Sequence, residues 1–273
     1  MTDRPLQGRW ALILGASSGF GAATGKALAA AGMNIAGVHL DLRSTLPQAK
    51  AVIAEIEAQG VTARFFNTNA ADPDRRTRVL DELAAQMGPG ETVHVLMHSL
   101  AFGTLKPLIP PLREDGSPGA REDAIDPAQM DMTLNVMAHS LVYWTQELRS
   151  AGLLSRGAQV YAMTSAGAHR VWPTYGAVSA AKAALEAHVR QLAVELAPSG
   201  IAVNALQAGV TDTPAARRIP GSDAMFAAAR AANPGGRLTQ PGDVASILVA
   251  LSRSESAWMT GNVLRIDGGE DLV

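Results

Sequence analysis

Cysteine is absent from the 273 residues. That excludes disulfides, thiolate catalysis and cysteine-built zinc or iron–sulfur sites, and it fits a reducing cytoplasm. A surplus of charge is also missing: the formal net charge is −2, too small for a broad field aimed at nucleic acid or anionic membrane. No apolar run approaches the ~20 residues of a membrane helix. The opening "MTDRPLQGRW" lacks the apolar centre of a signal peptide. What is present is 47% hydrophobic and 18% charged residues, enough for a sizeable core. The expectation is a soluble cytoplasmic protein, one domain over 1–273.

Short apolar runs alternate with helix-like segments. "WALILGA", "MNIAGVHLD", "TARFFNTN" and "VHVLMHS" read as four strands. Between them lie "GAATGKALAAAG", "LPQAKAVIAEIEAQG" and "PDRRTRVLDELAAQMG", each with helical character. The first two close on glycine, and Pro73 suits a first helical turn. Downstream, "AQVYAMTS", "IAVNALQAG" and "GNVLRID" add strands, with helices over about 128–151, "TYGAVSAAKAALEAHVRQLAVELAP" and "PGDVASILVALSR". This alternation predicts βαβ crossovers in one doubly wound α/β domain of Rossmann type. The Pro-, Gly- and charge-rich stretch 103–127 is expected to be a long surface loop, a kind that in a compact domain is more often functional than idle.

Between the first strand and the first helix stands "GASSGFG". Gly15 allows a tight turn. Gly19 and Gly21 let backbone approach a pyrophosphate, and the helix start offers N–H groups and a partial positive charge. Ser17, Ser18 and Phe20 complete this candidate dinucleotide turn. The spacing is not G-x-G-x-x-G, so its place after the first strand carries the reading.

This turn, Asn135 in "LNVMA", Ser165 in "MTSAG", Tyr175, Lys182, "VNALQAG" and the closing "IDGG" resemble the short-chain dehydrogenase/reductase family in order and spacing. The resemblance runs from about Arg9 to the C-terminus. It implies a seven-stranded parallel sheet with helices on both faces, NAD or NADP at its C-terminal edge, and a homotetramer. It also implies that a residue at the end of the second strand selects the nucleotide. His39 occupies that position, with Asp41 and Arg43 just after. An acidic group repels a 2′-phosphate and an arginine pairs with it, so the signals oppose; the expectation leans to NADP through Arg43. Asn69 and Ala70, after strand three, take the adenine-side position.

Tyr175 and Lys182 are seven apart in "YGAVSAAK", and Val178 holds the four-apart position of ordinary members. Seven residues advance about 700° on a helix, so the side chains stay roughly 20° from alignment. The change is axial: the phenol moves ~4.5 Å further from the lysine than a four-residue spacing would place it. In ketone reduction, hydride and proton reach adjacent atoms. In reduction of a conjugated enoyl thioester, hydride reaches the β-carbon and charge collects on a more distant oxygen, which a displaced phenol suits.

The Tyr-x6-Lys spacing resembles the enoyl-[acyl-carrier-protein] reductases. "HSLAF" (98–102) and "NPGGRLTQPGDVA" strengthen that likeness; "GASSGFG" and Ser165 depart from the divergent members. The resemblance implies roles. Tyr175 stabilises the enolate, Lys182 holds the nicotinamide ribose, Ser165 orders the site or touches substrate, and Asn135 holds a relay water. Ser99, Leu100, Ala101 and Phe102 border the nicotinamide or substrate, and Gly209, Thr211 and Thr213 lie on the carboxamide side. Residues 213–233, with Met225 and Phe226, are expected to form a mobile lid over an acyl chain. Arg217 and Arg218 could attract an acidic carrier protein or coenzyme A phosphates. His94 and His98 lack carboxylate companions at metal-ligand spacing, so no metal is expected. The alternatives to enoyl reduction are 3-oxoacyl or other carbonyl reduction, and a nucleotide sensor without turnover.

Overall fold

A computed structural model describes residues 4–273. Its strands are β1 (Trp10–Leu14), β2 (Asn34–His39), β3 (Ala63–Asn67), β4 (Val93–His98), β5 (Gln159–Ser165), β6 (Ala202–Ala208) and β7 (Val263–Ile266). They form one parallel sheet in the order β3-β2-β1-β4-β5-β6-β7. β1, β4 and β6 are buried along their whole length. Parallel strands covered on both faces favour mostly apolar runs, and the polar exceptions here, His94, His98, Asn204 and Gln207, are buried with hydrogen-bond partners.

The helices are α1 (Gly19–Ala30), α2 (Leu46–Glu57), α3 (Pro73–Ala84), α4 (Pro127–Leu134), α5 (Ser140–Ser150), α6 (Gly176–Leu196), α7 (Ser222–Ala232) and α8 (Pro241–Ser252). Leu28 of α1, Ile56 of α2 and Leu248 of α8 pack with Ile13, Ile35, Met97 and Tyr161 on one sheet face. Leu83 of α3, Trp144 of α5 and Leu185 of α6 pack with Leu12, Leu96, Val160 and Val203 on the other. The chain crosses from β3 at one edge to β4 on the far side of β1. That reversal opens a crevice beyond the C-terminal ends of β1 and β4, where ligands of such sheets bind. Among the described residues, no helix is long and apolar enough to cross a membrane.

The helix expected over about 128–151 is present over 127–150, with a change of hydrogen-bond register inside it. α4 is capped by Asp126, whose side chain accepts from Gln129 N at 2.8 Å while the Gln129 side chain accepts from Asp126 N at 3.2 Å. A π-helical turn, Asn135–His139, then separates α4 from α5. Ser140 Oγ donates to Val136 O at 2.7 Å within this turn. Such turns insert an extra residue and recur at functional sites.

The stretch 103–127 is a loop with one short 3-10 turn, Arg121–Asp123, but its first residues are not surface. A Cβ on Gly103 would sit 2.8 Å from Thr133 Cγ2 and 3.0 Å from Val178 Cγ2. Leu108 covers Gly176 at the head of α6, 2.9 Å from where its Cβ would be. The loop is therefore a wall of the site at its start and solvent-facing further on.

Candidate active site

The glycine turn sits at the mouth of the crevice. Gly15 has φ +89° and Gly19 φ +52°, left-handed values that glycine tolerates. A Cβ on Gly15 would lie 2.4 Å from Ser99 O, and one on Gly21 would lie 2.1 Å from Gly15 O. The Ser18 side chain makes no capping bond, and the first turn of α1 holds no acidic residue. A helix start with free N–H groups and uncompensated partial charge therefore borders the cleft, which fits a dinucleotide pyrophosphate. Thr213 closes the opposite side, 3.5 Å from a Cβ on Gly19.

At the end of β2, His39 does not present itself to the cleft. It is buried, its ring lies 6.0 Å from that of Phe65, and its Nδ1 bonds Asp41 Oδ2 at 2.8 Å. Strand alternation turns the ring inward, so His39 positions Asp41. Burial raises the Asp41 pKa, but hydrogen bonds with Thr45, Ser17 and His39 outweigh it and hold the carboxyl below its usual value. Asp41 thus stands beside the glycine turn, while Arg43 is exposed. Asn69 spends its amide oxygen on Ala71 N at 3.0 Å, and Ala70 is buried with its carbonyl taken by Trp144 Nε1 at 2.8 Å. These two support the adenine-side turn from behind.

A cavity of about 570 Å³ continues from the cleft, lined by Ser99, Leu100, Ala101, Phe102, Ser165, Tyr175, Lys182, Gly209, Thr211, Thr213 and Met225, among others. The structure thus brings together most of the residues read from sequence. Two do not join. Asn135 opens the π turn, yet Met137 is the residue of that turn that lines the cavity. Phe226 is buried on the inner side of α7, with the Arg217 guanidinium 6.0 Å from its ring, and leaves the wall to Met225, Ala228, Ala229 and Ala232.

Tyr175 caps the N-terminus of α6 with φ −93° and ψ 1°, and its carbonyl accepts from Ser179 N at 2.8 Å. It is therefore held in the first helical turn although it precedes the helix. Thr174 before it has φ +62° and a buried Oγ1 without a hydrogen-bond partner among the described residues. Burial raises the Tyr175 pKa, and the Ser165 hydroxyl pulls it part of the way back. Ser165 Oγ is itself buried and makes no formed hydrogen bond among the described residues, so the two hydroxyls are near one another but not aligned. Val178 is buried between Tyr175 and Lys182. Lys182 Nζ donates to Met163 O at 2.7 Å. Burial pushes its pKa down to about 8, and the charge of Glu186 opposes that fall.

Several wall residues escaped the sequence reading. Leu105, Met137 and Trp172 line the cavity, as does the side chain of Glu270, which accepts from Val210 N at 3.0 and 3.1 Å. Arg170 also lines it, and is tied by Nε to Asp271 Oδ1 at 2.8 Å. The same buried carboxylate accepts from His169 at 3.0 Å, Gln207 at 2.9 Å and Arg265 at 3.3 Å. The acidic pair after "IDGG" was the one available signal. Among the described residues, no group of three or more His, Asp or Glu side chains could hold a metal ion.

The chain was compared with known proteins. A family model described as enoyl-(acyl carrier protein) reductase matches residues 15–270. The cis-4-hydroxycyclohexanecarboxylate dehydrogenase of Sinomonas cyclohexanicum is 29% identical over 97% of both chains. The 1-cyclohexenylcarbonyl-CoA reductase of Streptomyces collinus is 25% identical over 96% of this chain and 86% of its own. A short chain dehydrogenase from Burkholderia cenocepacia, solved in complex with NADP, is 30% identical with a TM-score of 0.80, covering 98% of this chain and 99% of its own. With its sheet order, glycine turn and Ser165–Tyr175–Lys182 cavity, the chain belongs to the short-chain dehydrogenase/reductase family, and it is an oxidoreductase on the enoyl-reductase side of that family.

Proposed function

We propose that this oxidoreductase reduces the 2,3 double bond of enoyl thioesters with a nicotinamide cofactor. The observation that carries the reading is the placement of Tyr175 and Lys182 in one apolar cavity, with Val178 rather than a proton donor between them. Seven residues of helix separate the pair by ~10 Å along the axis.

A nicotinamide held in the cleft by residues such as Ser99, Lys182 and Thr211 would supply a hydride to the β-carbon. Tyr175, kept protonated by burial, donates a hydrogen bond to the thioester oxygen, where the enolate charge collects. Lys182 contributes its charge from the cofactor side, and Ser165 offers an unengaged hydroxyl beside the phenol. Water or Tyr175 delivers the final proton to the α-carbon. Leu105, Met163, Trp172, Ile219 and Met225 give the acyl group an apolar, water-poor enclosure. Residues 213–233 would close over that group as a lid. Arg218 lines the cavity from this segment and would meet the phosphate of a carrier arm or of coenzyme A.

For the nucleotide, the partly buried Asp41 beside Ser17 moves the expectation from NADP towards NAD, since a 2′-phosphate there meets like charge. Exposed Trp258, with Val263 on the β7 edge, and Tyr143 and Val194 on α5 and α6 suit a homo-oligomer such as a tetramer.

The second reading, oxidoreduction at a carbonyl or alcohol carbon, is favoured by the Sinomonas relative, a dehydrogenase similar over its full length. One assay separates them: purified protein with NADH or NADPH is given crotonyl-CoA, 1-cyclohexenylcarbonyl-CoA and acetoacetyl-CoA. Cofactor oxidation with the two enoyl thioesters is expected. Oxidation with acetoacetyl-CoA alone overturns the enoyl reading in favour of the second. Tight binding of cofactor with no turnover on any substrate leaves the sensor.

A further inference from the structure

His98 is fully buried at the end of β4. Period two along the strand places it with Leu96 on the sheet face covered by the π turn, α5 and α6. It pairs in register with Ala162, one residue before Met163, whose carbonyl holds Lys182. On its ε side the ring is accounted for. Nε2 lies 2.8 Å from Ser140 Oγ, and that hydroxyl donates to Val136 O at 2.7 Å. Ser140 is thus an acceptor towards the ring, so Nε2 carries the proton and Nδ1 is a bare lone pair. Nδ1 is buried and makes no formed hydrogen bond among the described residues.

A buried acceptor without a partner costs about 1–3 kcal/mol, and buried polar atoms in folded proteins are nearly always satisfied. Lys182 Nζ has three donors, and one is used on Met163 O. Burial, and after it the Lys182 charge, pushes the His98 imidazole pKa down to about 3, against the backbone carbonyls of His98 and Val136, which raise it. His98 is therefore neutral throughout the working range and is an acceptor, never a cation.

We propose that His98 is a positioning residue for Lys182: its Nδ1 accepts a hydrogen bond from the ammonium through one buried water, with the tautomer fixed by Ser140 and the π turn. The inference rests on the place of Lys182 in the function proposed above. The acceptor stabilises the charged ammonium, so it raises the Lys182 pKa against the burial that lowers it. The other groups facing Lys182 are Glu186, which shares α6 and is bonded by Thr164 at 2.7 Å, the Tyr175 phenol at the head of α6, and Glu270 from beyond β7 across the cavity. From the π turn, His139 is engaged with His188 at 3.0 Å.

The test uses the full chain with 13Cε-labelled lysine. There are only four lysines, Lys26, Lys50, Lys106 and Lys182, and the last is identified by loss of its signal in Lys182→Arg. Three variants separate the two sides of the ring. His98→Gln keeps a group near Ser140 and removes the δ acceptor. His98→Asn keeps the δ acceptor and loses the Ser140 contact. Ser140→Ala frees the ε side alone. The Lys182 pKa is expected to fall by about half a unit or more in His98→Gln, with the alkaline limb of kcat/KM moving to lower pH by the same amount. In His98→Asn and Ser140→Ala it stays within about 0.2 units of wild type, whatever the loss in Tm. Equal Lys182 titration in all four proteins, or equal shifts in His98→Gln and His98→Asn, overturns the proposal. The titration needs no turnover, so failure of the enoyl assay leaves it standing or falling by itself.

Discussion

Gly167 lies against the Tyr175 ring: a Cβ there would sit 2.7 Å from Tyr175 Cε1 and 3.2 Å from Ser165 Oγ. The phenol owes its place partly to a side chain that is missing. Gly167→Ala must push the ring away from Ser165. Turnover should fall about 10- to 100-fold, the range for a displacement near 1 Å, while the Kd for cofactor stays unchanged. Steady-state kinetics beside a fluorescence titration with NADH checks both halves.

Thr174 is a β-branched residue held at φ +62°, a conformation that costs ~1–2 kcal/mol outside glycine and is more accessible to asparagine. Its buried Oγ1 adds an unmet hydrogen bond. Thr174→Asn should stabilise the protein by about 1 kcal/mol with Tyr175 still in place. Urea unfolding measures the gain; a loss of stability would show that the threonine methyl packs for more than the backbone strain costs.

His98 predicts an acid weakness. Its folded pKa of about 3 lies below the ordinary value of 6.5, so the unfolded chain binds the extra proton between those limits. Stability is then full above pH 6.5 and declines as pH falls towards 3. In His98→Gln the urea midpoint should vary less with pH across that window than in wild type.

Lys182 predicts the alkaline limb. Its pKa of about 8 means that the ammonium is present at neutral pH and lost above it. The kcat/KM of the free enzyme should decline as pH rises past 8. An arginine stays charged throughout, so Lys182→Arg, slower overall, should lose that limb.

Asp41 predicts the nucleotide. Removing the carboxylate beside Ser17 removes like charge from the position of a 2′-phosphate. Asp41→Ala should raise the kcat/KM ratio of NADPH to NADH by about tenfold, equal to ~1.4 kcal/mol. A ratio already favouring NADPH in wild type would return the selection to Arg43.

The sheet was legible because buried parallel strands are mostly apolar runs: "WALIL" is wholly so, and "VHVLMH" is interrupted only by His94 and His98. The glycine turn was legible because backbone contact leaves no room for a Cβ. The π turn was not. Residues 135–139 carry no helix breaker, and the extra residue in the turn is set by contacts such as Ser140 with His98, which sequence spacing does not encode. His39 was misplaced because strand parity, not its neighbours in sequence, turns it inward. Phe226 was chosen for its size, but α7 directs it to the core and gives the cavity its smaller neighbours. Glu270 and Asp271 act on residues 60 to 102 positions away, and no local pattern announces such pairs.

The Asp271 clamp sets an order of events during synthesis. All seven strands and the Tyr175–Lys182 helix leave the ribosome before the residues after β7 do. A nascent chain ending near Ile266 would hold a sheet and a catalytic pair, but Arg170 and His169 would have no carboxylate to anchor them. The glycine turn and its crevice can thus form before the wall that Arg170 and His169 steady across the cavity.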